Sequence, residues 1–189
     1  QPLGTHVGNS LEVIEVLEVL RGRGPDDLKE LCVELAGWMF HLGGSAATVA
    51  QGKRDAEQLI DSGKALDKFR QMVSLQGGDV ATLDDPTKLP RAKYLRDLLS
   101  PKSGFIAAMN SEAVGTACVV LGGGREKKED TVDPAVGIVL HRKTGDQVGA
   151  GEPLCTIHSN SEARTARAAS LLLESFRIED ARAVETNVL

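Results

Sequence analysis

The groups in this chain that could do chemistry are few and scattered. Histidines stand at positions 6, 41, 141 and 158, and no two have the HxxxH or HExxH spacing that sets a pair of imidazoles on one helical face for a metal. His41 falls near the end of a helical pattern, where packing or interaction with the helix dipole accounts for it, and His141 lies between a strand-like run and a basic pair. Cys32, Cys118 and Cys155 are far apart and form no CxxC, so they read as packing residues. There is no GxSxG elbow for a nucleophilic serine. LGGGREKKED, residues 121–130, has three glycines but no GKS or GKT behind them, so it is not a Walker loop. Its backbone could still turn N–H groups to an anion, with Arg125, Lys127 and Lys128 adding charge; the plainer alternative is a helix stop followed by a solvated charge run. Glu12, Glu15 and Glu18 recur every three residues behind an irregular lead-in, either as a water-facing edge or as carboxylates placed beside free carbonyls that could hold a cation.

Composition narrows the partners. Among 189 residues, 27 are acidic and 22 basic, and 3% are aromatic, which supplies neither the charge nor the stacking rings of a nucleic-acid surface. No apolar run approaches the roughly 20 residues of a membrane span, and the first residues lack signal-peptide character. The expectation is a cytoplasmic protein with no membrane partner. At 41% hydrophobic the chain can bury a core, and the missing initiator methionine leads to the expectation of a fragment.

The elements that must position these groups follow from periodicity and punctuation. Asn9 to Glu12 reads as a capping box, with Asn9 accepting from the Glu12 backbone and the Glu12 carboxylate reaching back. Leu11, Val13, Ile14, Val16, Leu17 and Leu20 cover most of the ensuing helix and predict that it is largely buried. Pro25 with Asp26 and Asp27 opens a second helix whose Leu28, Leu31, Cys32, Leu35, Met39 and Leu42 recur at helical spacing up to Gly43-Gly44. A third stretch, about 46–62, is weakened by Gly52 and stops at Gly63; a fourth, 64–76, puts Leu66, Phe69, Met72 and Val73 on one side. DDPTKLPRAKY then reads as a connection. Beyond it GFIAAM is strand-like, VGIVLHRKTGDQVGAGEPLCTI looks like two strands around a turn, SEARTARAASLLLESF is helical with Ala163, Ala166, Leu171 and Leu172 available for packing, and FRIED is a short strand. The fold class expected is mixed α/β, with a helical first part at 1–90 and a mixed α/β second part at 91–189.

The string GDxVxxGxxL inside KTGDQVGAGEPL resembles the hammerhead, or barrel-sandwich, turn of biotinyl and lipoyl carrier domains, with Gly145 and Gly151 supplying special backbone angles. A carrier keeps its cofactor on a lysine in a following hairpin, whereas CTIHSNSEARTA has none, so a swinging arm is not expected. Taken in order, the lead-in, the capped helix and this turn resemble the C-terminal part of the pyrimidine-nucleoside and thymidine phosphorylases. The likeness is carried by QPLGTHVGNSLEV, GPDDLKELCVELAG, GKALDKFRQMVSLQGGD, DDPTKLPRAKY, VGTACVVLGGGREKKEDTVDPAVGIVLHRKTGDQVGAGEPLCTI and SNSEA, which is almost the whole chain. GGGR stands where the family often has GAGR, and the closing ARAVETNVL departs from the family's terminal strand.

The resemblance implies the helical segment of a large α/β domain followed by a hammerhead-like C-terminal domain. It implies an enzyme that cleaves thymidine, uridine or deoxyuridine with phosphate to the free base and a pentose 1-phosphate, as a homodimer whose cleft closes over its substrates. The family's phosphate-binding KHSTGG loop and its pyrimidine-holding arginine, serine and lysine precede QPLG. This chain is therefore expected to be inactive alone, with no catalytic residue of its own. A potassium ion and no organic cofactor are implied, the ion held by the carbonyls of Leu3 and His6 and the carboxylate of Glu15, with further ligands elsewhere. A cleft that must exclude water also needs a fastening, and Gly122, Gly123, Gly124, Arg125 and Lys127 are its expected closure loop. A carrier or a stand-alone binding domain without catalysis is the alternative.

Overall fold

A computed structural model describes residues 1–125 and 127–182. In chain order the elements are β1 (His6–Val7), α1 (Asn9–Leu20), α2 (Asp26–Leu42), α3 (Val49–Asp61), α4 (Lys64–Leu75), α5 (Ala81–Asp84), β2 (Tyr94–Leu99), β3 (Gly104–Met109), α6 (Ser111–Leu121), β4 (Gly137–Leu140), β5 (Gln147–Val148), β6 (Pro153–Ser159), α7 (Glu162–Ser175) and β7 (Phe176–Glu179). The fold is mixed α/β, as expected. The chain divides into two compact units, one of residues 13–89 and one that joins residues 1–12 to the described residues from Pro90 onward.

In the helical unit, Thr48 caps α3 by accepting from Gln51 N–H at 3.1 Å, and Gly63 (φ 75°) makes the left-handed break between α3 and α4. Gly52 is the contact point of α3 with α2 rather than a weakness: a Cβ there would lie on the Gly37 carbonyl oxygen, and one on Gly37 would lie 2.5 Å from Lys53 Cγ. Two glycines let the backbones touch. The small core is Val33, Ala56 and Ile60, backed by Ala36, Phe40 and Ala65.

That core corrects the face expected of α2. Leu35 is 53% exposed, Met39 71% and Leu42 79%, while Val33 and Gly37 are buried. The periodic leucines run along the side turned away from α3, because the close approach at Gly37 fixes which side meets it. On α4 Met72 is likewise exposed.

The second unit is built on two antiparallel sheets, ordered β1-β4-β6-β2 and β5-β3-β7. The string read as two strands around a turn is three, since β5 leaves β4 and β6 to pair with β3. Ile138↔Ile157 and Leu140↔Cys155 turn inward, while His6↔Val139 and Val139↔Thr156 alternate to the other face. Helices α6 and α7 cover the inner face with Val114, Ala117, Cys118, Leu121, Ala168 and Leu172. In α7, Leu172 packs as expected, but Ala163 and Ala166 are exposed, and Thr165 and Ala168 take the buried positions. FRIED supplies β7, as expected, and the terminal residues from 183 lie outside the described residues. Among the described residues no helix is long and apolar enough to cross a membrane.

Candidate functional site

The lead-in is held as backbone against backbone. Gly8 (φ 127°) lies against β4 so closely that a Cβ would sit 2.6 Å from Val136 O, and a Cβ on Gly137 would strike Val7 O. Leu140 N–H donates to Thr5 O at 2.7 Å and Ser10 N–H to Pro134 O at 3.1 Å. The Lys143 ammonium donates to both Pro2 O and Gly4 O, and Thr144 N–H donates to Gln1 Oε1 at 2.8 Å. Lys143 belongs to the KTGD turn, in which Asp146 Oδ2 accepts from Lys143 N–H at 2.7 Å and Gly145 (φ 96°) and Gly151 (φ 82°) adopt left-handed angles. The glycine angles read from the sequence are present. The lysine's clamp on a segment some 140 residues earlier was not readable.

The start of α1 differs in detail from a capping box. Glu12 Oε1 does reach back, accepting from Gly8 N–H at 2.9 Å, but Asn9 is already helical and its amide donates to Gly123 O at 3.0 Å. Glu15 is only 5% exposed, so the acidic row is not a uniform solvent edge. Of the three residues expected at a cation, Leu3 and His6 lie in the lead-in of one unit and Glu15 in the helical unit. Leu3 makes no hydrogen bond among the described residues, and the His6 ring Nδ1 is 2.9 Å from Thr5 Oγ1. In kind, a carboxylate and carbonyl oxygens suit a hard monovalent or divalent cation.

The glycine loop is anchored at its start. Gly122 (φ 105°) ends α6, Gly123 N–H donates to Cys118 O at 2.9 Å, and Asp133 N–H donates to Gly122 O at 2.8 Å. A Cβ on Gly123 would meet Cys118 Sγ at 2.6 Å, and one on Gly124 would meet Val119 Cγ2 at 2.8 Å. These glycines allow the loop to fold back on its own helix. Arg125, next along, is exposed, and a tight turn follows in which Asp130 Oδ2 accepts from Lys127 N–H at 2.8 Å.

His41 and His141 are tied to neighbouring groups. His41 Nδ1 is 3.2 Å from Ala46 O at the end of α2. On the outer face of the four-stranded sheet, Thr156 Oγ1 donates to Asp97 Oδ1 at 2.6 Å, so its lone pairs accept from His141 Nε2–H at 2.7 Å. Burial first, and the neighbouring His6 and His141 second, hold the His158 pKa below the usual histidine value. Burial raises the Cys118 thiol to about 11 and the Cys155 thiol to about 12, which keeps both protonated and unreactive, while Cys32 is exposed rather than packed. Glu152 is held below the usual carboxylate range by the Gly149 N–H and then by the Arg142 guanidinium, bonds that close the turn before β6.

Comparison with known proteins places this arrangement. Residues 105–179 match the family described as the pyrimidine nucleoside phosphorylase C-terminal domain. Over 162 residues, 86% of this chain, it is 44% identical to a pyrimidine-nucleoside phosphorylase of Geobacillus stearothermophilus and 43% identical to one of Bacillus subtilis (strain 168). A pyrimidine-nucleoside phosphorylase of Staphylococcus aureus (strain USA300) is 44% identical over the same length. The chain spans about 37% of the length of these relatives. Residues 105–179 thus match a pyrimidine nucleoside phosphorylase C-terminal domain, and over 86% of its length the chain is similar to part of pyrimidine-nucleoside phosphorylases.

Proposed function

We propose that these residues serve a pyrimidine-nucleoside phosphorylase, in which phosphate attacks C1′ of uridine, thymidine or deoxyuridine. The C1′–N bond breaks, its electron pair leaves with the base, and a pentose 1-phosphate forms. The observation that supports this reading is the identity of 43–44% to such enzymes over 86% of the chain. The described chain contributes scaffold rather than reacting groups, and it works in a cytoplasmic homodimer. The lead-in clamp of Gly8, Gly137 and Lys143 sets the backbone of residues 1–8, from which the Leu3 and His6 carbonyls, with Glu15, would hold potassium. Bound there, the ion would supply positive charge beside the buried Glu15 carboxylate and tie the segment down. Arg125, exposed beyond the anchored glycines, fastens the closed cleft, so that water is kept from the oxocarbenium-like sugar.

The test is an assay of the complete reading frame that contains these residues. Phosphate-dependent release of uracil or thymine is expected, and none from the 189-residue chain alone. In that enzyme Glu15→Gln should raise the potassium concentration for half-maximal rate and abolish the stabilisation by potassium in thermal melts, and Arg125→Ala should lower turnover. Absence of base release with all three nucleosides would overturn the assignment of activity; unchanged potassium dependence in Glu15→Gln would overturn the cation site alone.

A further inference from the structure

A cavity of about 430 Å³ lies where the end of α6 and the glycine loop meet α7. Gly122, Gly124, Lys127 and Asp130 line it from the loop side, and Arg164 and Arg167 from the helix. The two arginines are three residues apart and so share one face of α7. Arg164 has a structural reason to be there: its Nη1 lies 3.5 Å from Leu121 O at the negative end of α6, and a Cβ on Gly122 would crowd that nitrogen at 2.7 Å. Arg167 and Lys127 have no such reason. Among the described residues no carboxylate pairs with Arg164, Arg167 or the Lys127 ammonium. Among the described residues Asp130 is the one acid on the wall, and its Oδ2 accepts from the Lys127 backbone N–H. Among the described residues of the wall, three cations stand against one carboxylate, around a cavity several times the size of a phosphate group.

We propose that this cavity binds a multiply charged phosphate-type anion, with Arg164 and Arg167 as a paired guanidinium fork and Lys127 as the point charge opposite them. The site is separate from the lead-in and from any cation held there, and it does not depend on the proposed catalytic activity. Arg125 and Lys128 are not on its wall, so of the loop's three basic residues it is Lys127 that lines the cavity. A bound anion would tie the turn at 127–130 to α7.

Sodium pyrophosphate is the probe, titrated into the 189-residue chain by calorimetry and thermal melts, with sodium chloride at equal ionic strength as the control. Saturable binding is expected, weakened about tenfold or more by Arg167→Gln. Asp130→Asn should tighten it, and Arg125→Ala should leave it unchanged. Arg164→Gln should also weaken it, but Arg167→Gln, which leaves the end of α6 alone, decides the matter. The site is overturned if no saturable binding occurs, if chloride reproduces the shift, or if Arg167→Gln binds as the parent does.

Discussion

At the scale of single residues, His158 offers the clearest pH signature. It is half-buried on β6, on the outer face shared with His6 and His141, where burial and then those two rings disfavour its charged form. Asp97 and Thr156 share this face, but their hydrogen bonds run to one another and to His141. A histidine whose folded pKa is depressed binds fewer protons folded than unfolded. Its contribution is therefore complete above the unfolded value of about 6.5 and is lost as the pH falls from there toward the folded pKa. Urea denaturation at pH 7.5 and 5.5 should show the chain less stable at the lower pH, and His158→Asn should reduce that difference. The lowered carboxylates Glu18, Glu34 and Glu152 lose their stabilisation only below the ordinary glutamate value of 4.5, outside this window. An equal loss in both proteins would show that His158 is not the group titrating.

Elements make contacts that single residues do not disclose, and glycine shows this in two opposite ways. Gly52→Ala places a methyl group on the Gly37 carbonyl and must push α3 away from α2, at a cost of about 1–3 kcal/mol. Gly115→Ala, on α6, meets nothing within 4 Å and should stabilise the chain by about 0.4–1 kcal/mol. Chemical denaturation of the two variants checks both signs. The same contrast marks what the sequence discloses. The Gly63 stop was readable because it depends on local backbone angles, as were the glycines of the KTGD turn. The buried side of α2 was not, because the leucine repeat and the glycine contact compete and only the neighbouring helix decides between them. Strand β2 was missed, since YLRDLL at a sheet edge has an exposure pattern that does not alternate. Leu3, His6 and Glu15 were named through family resemblance alone, whereas Lys143 and Arg164 gain meaning from contacts with Pro2, Gly4 and the end of α6, and Arg167 from the cavity wall it shares with Arg164, none of which a local pattern encodes.

The whole molecule carries two cores of very different size. In the unit of the sheets, α6 and α7 enclose a continuous set that includes Ile106, Val114, Leu121, Ile138, Leu154, Ile157 and Leu172, each no more than 2% exposed. In the helical unit the core cluster has Val33, Ala56 and Ile60 as its buried members, α4 has no buried residue, and much of α2 presents leucine and methionine to solvent. Salt bridges such as Lys53–Glu34 and Arg70–Asp84 join helices here, but exposed pairs of this kind are screened by solvent and add little. Local stability follows the burial of apolar contacts, so opening of α2–α4 should require less free energy than opening of β4, β6 and α6. Hydrogen exchange followed by mass spectrometry is therefore expected to label α2, α3 and α4 ahead of β4, β6 and α6 in the 189-residue chain. Uniform protection across both units would mean that something other than these cores sets the stability of the helices, and it would remove the argument that the sheets provide the rigid support against which the lead-in and the glycine loop are held.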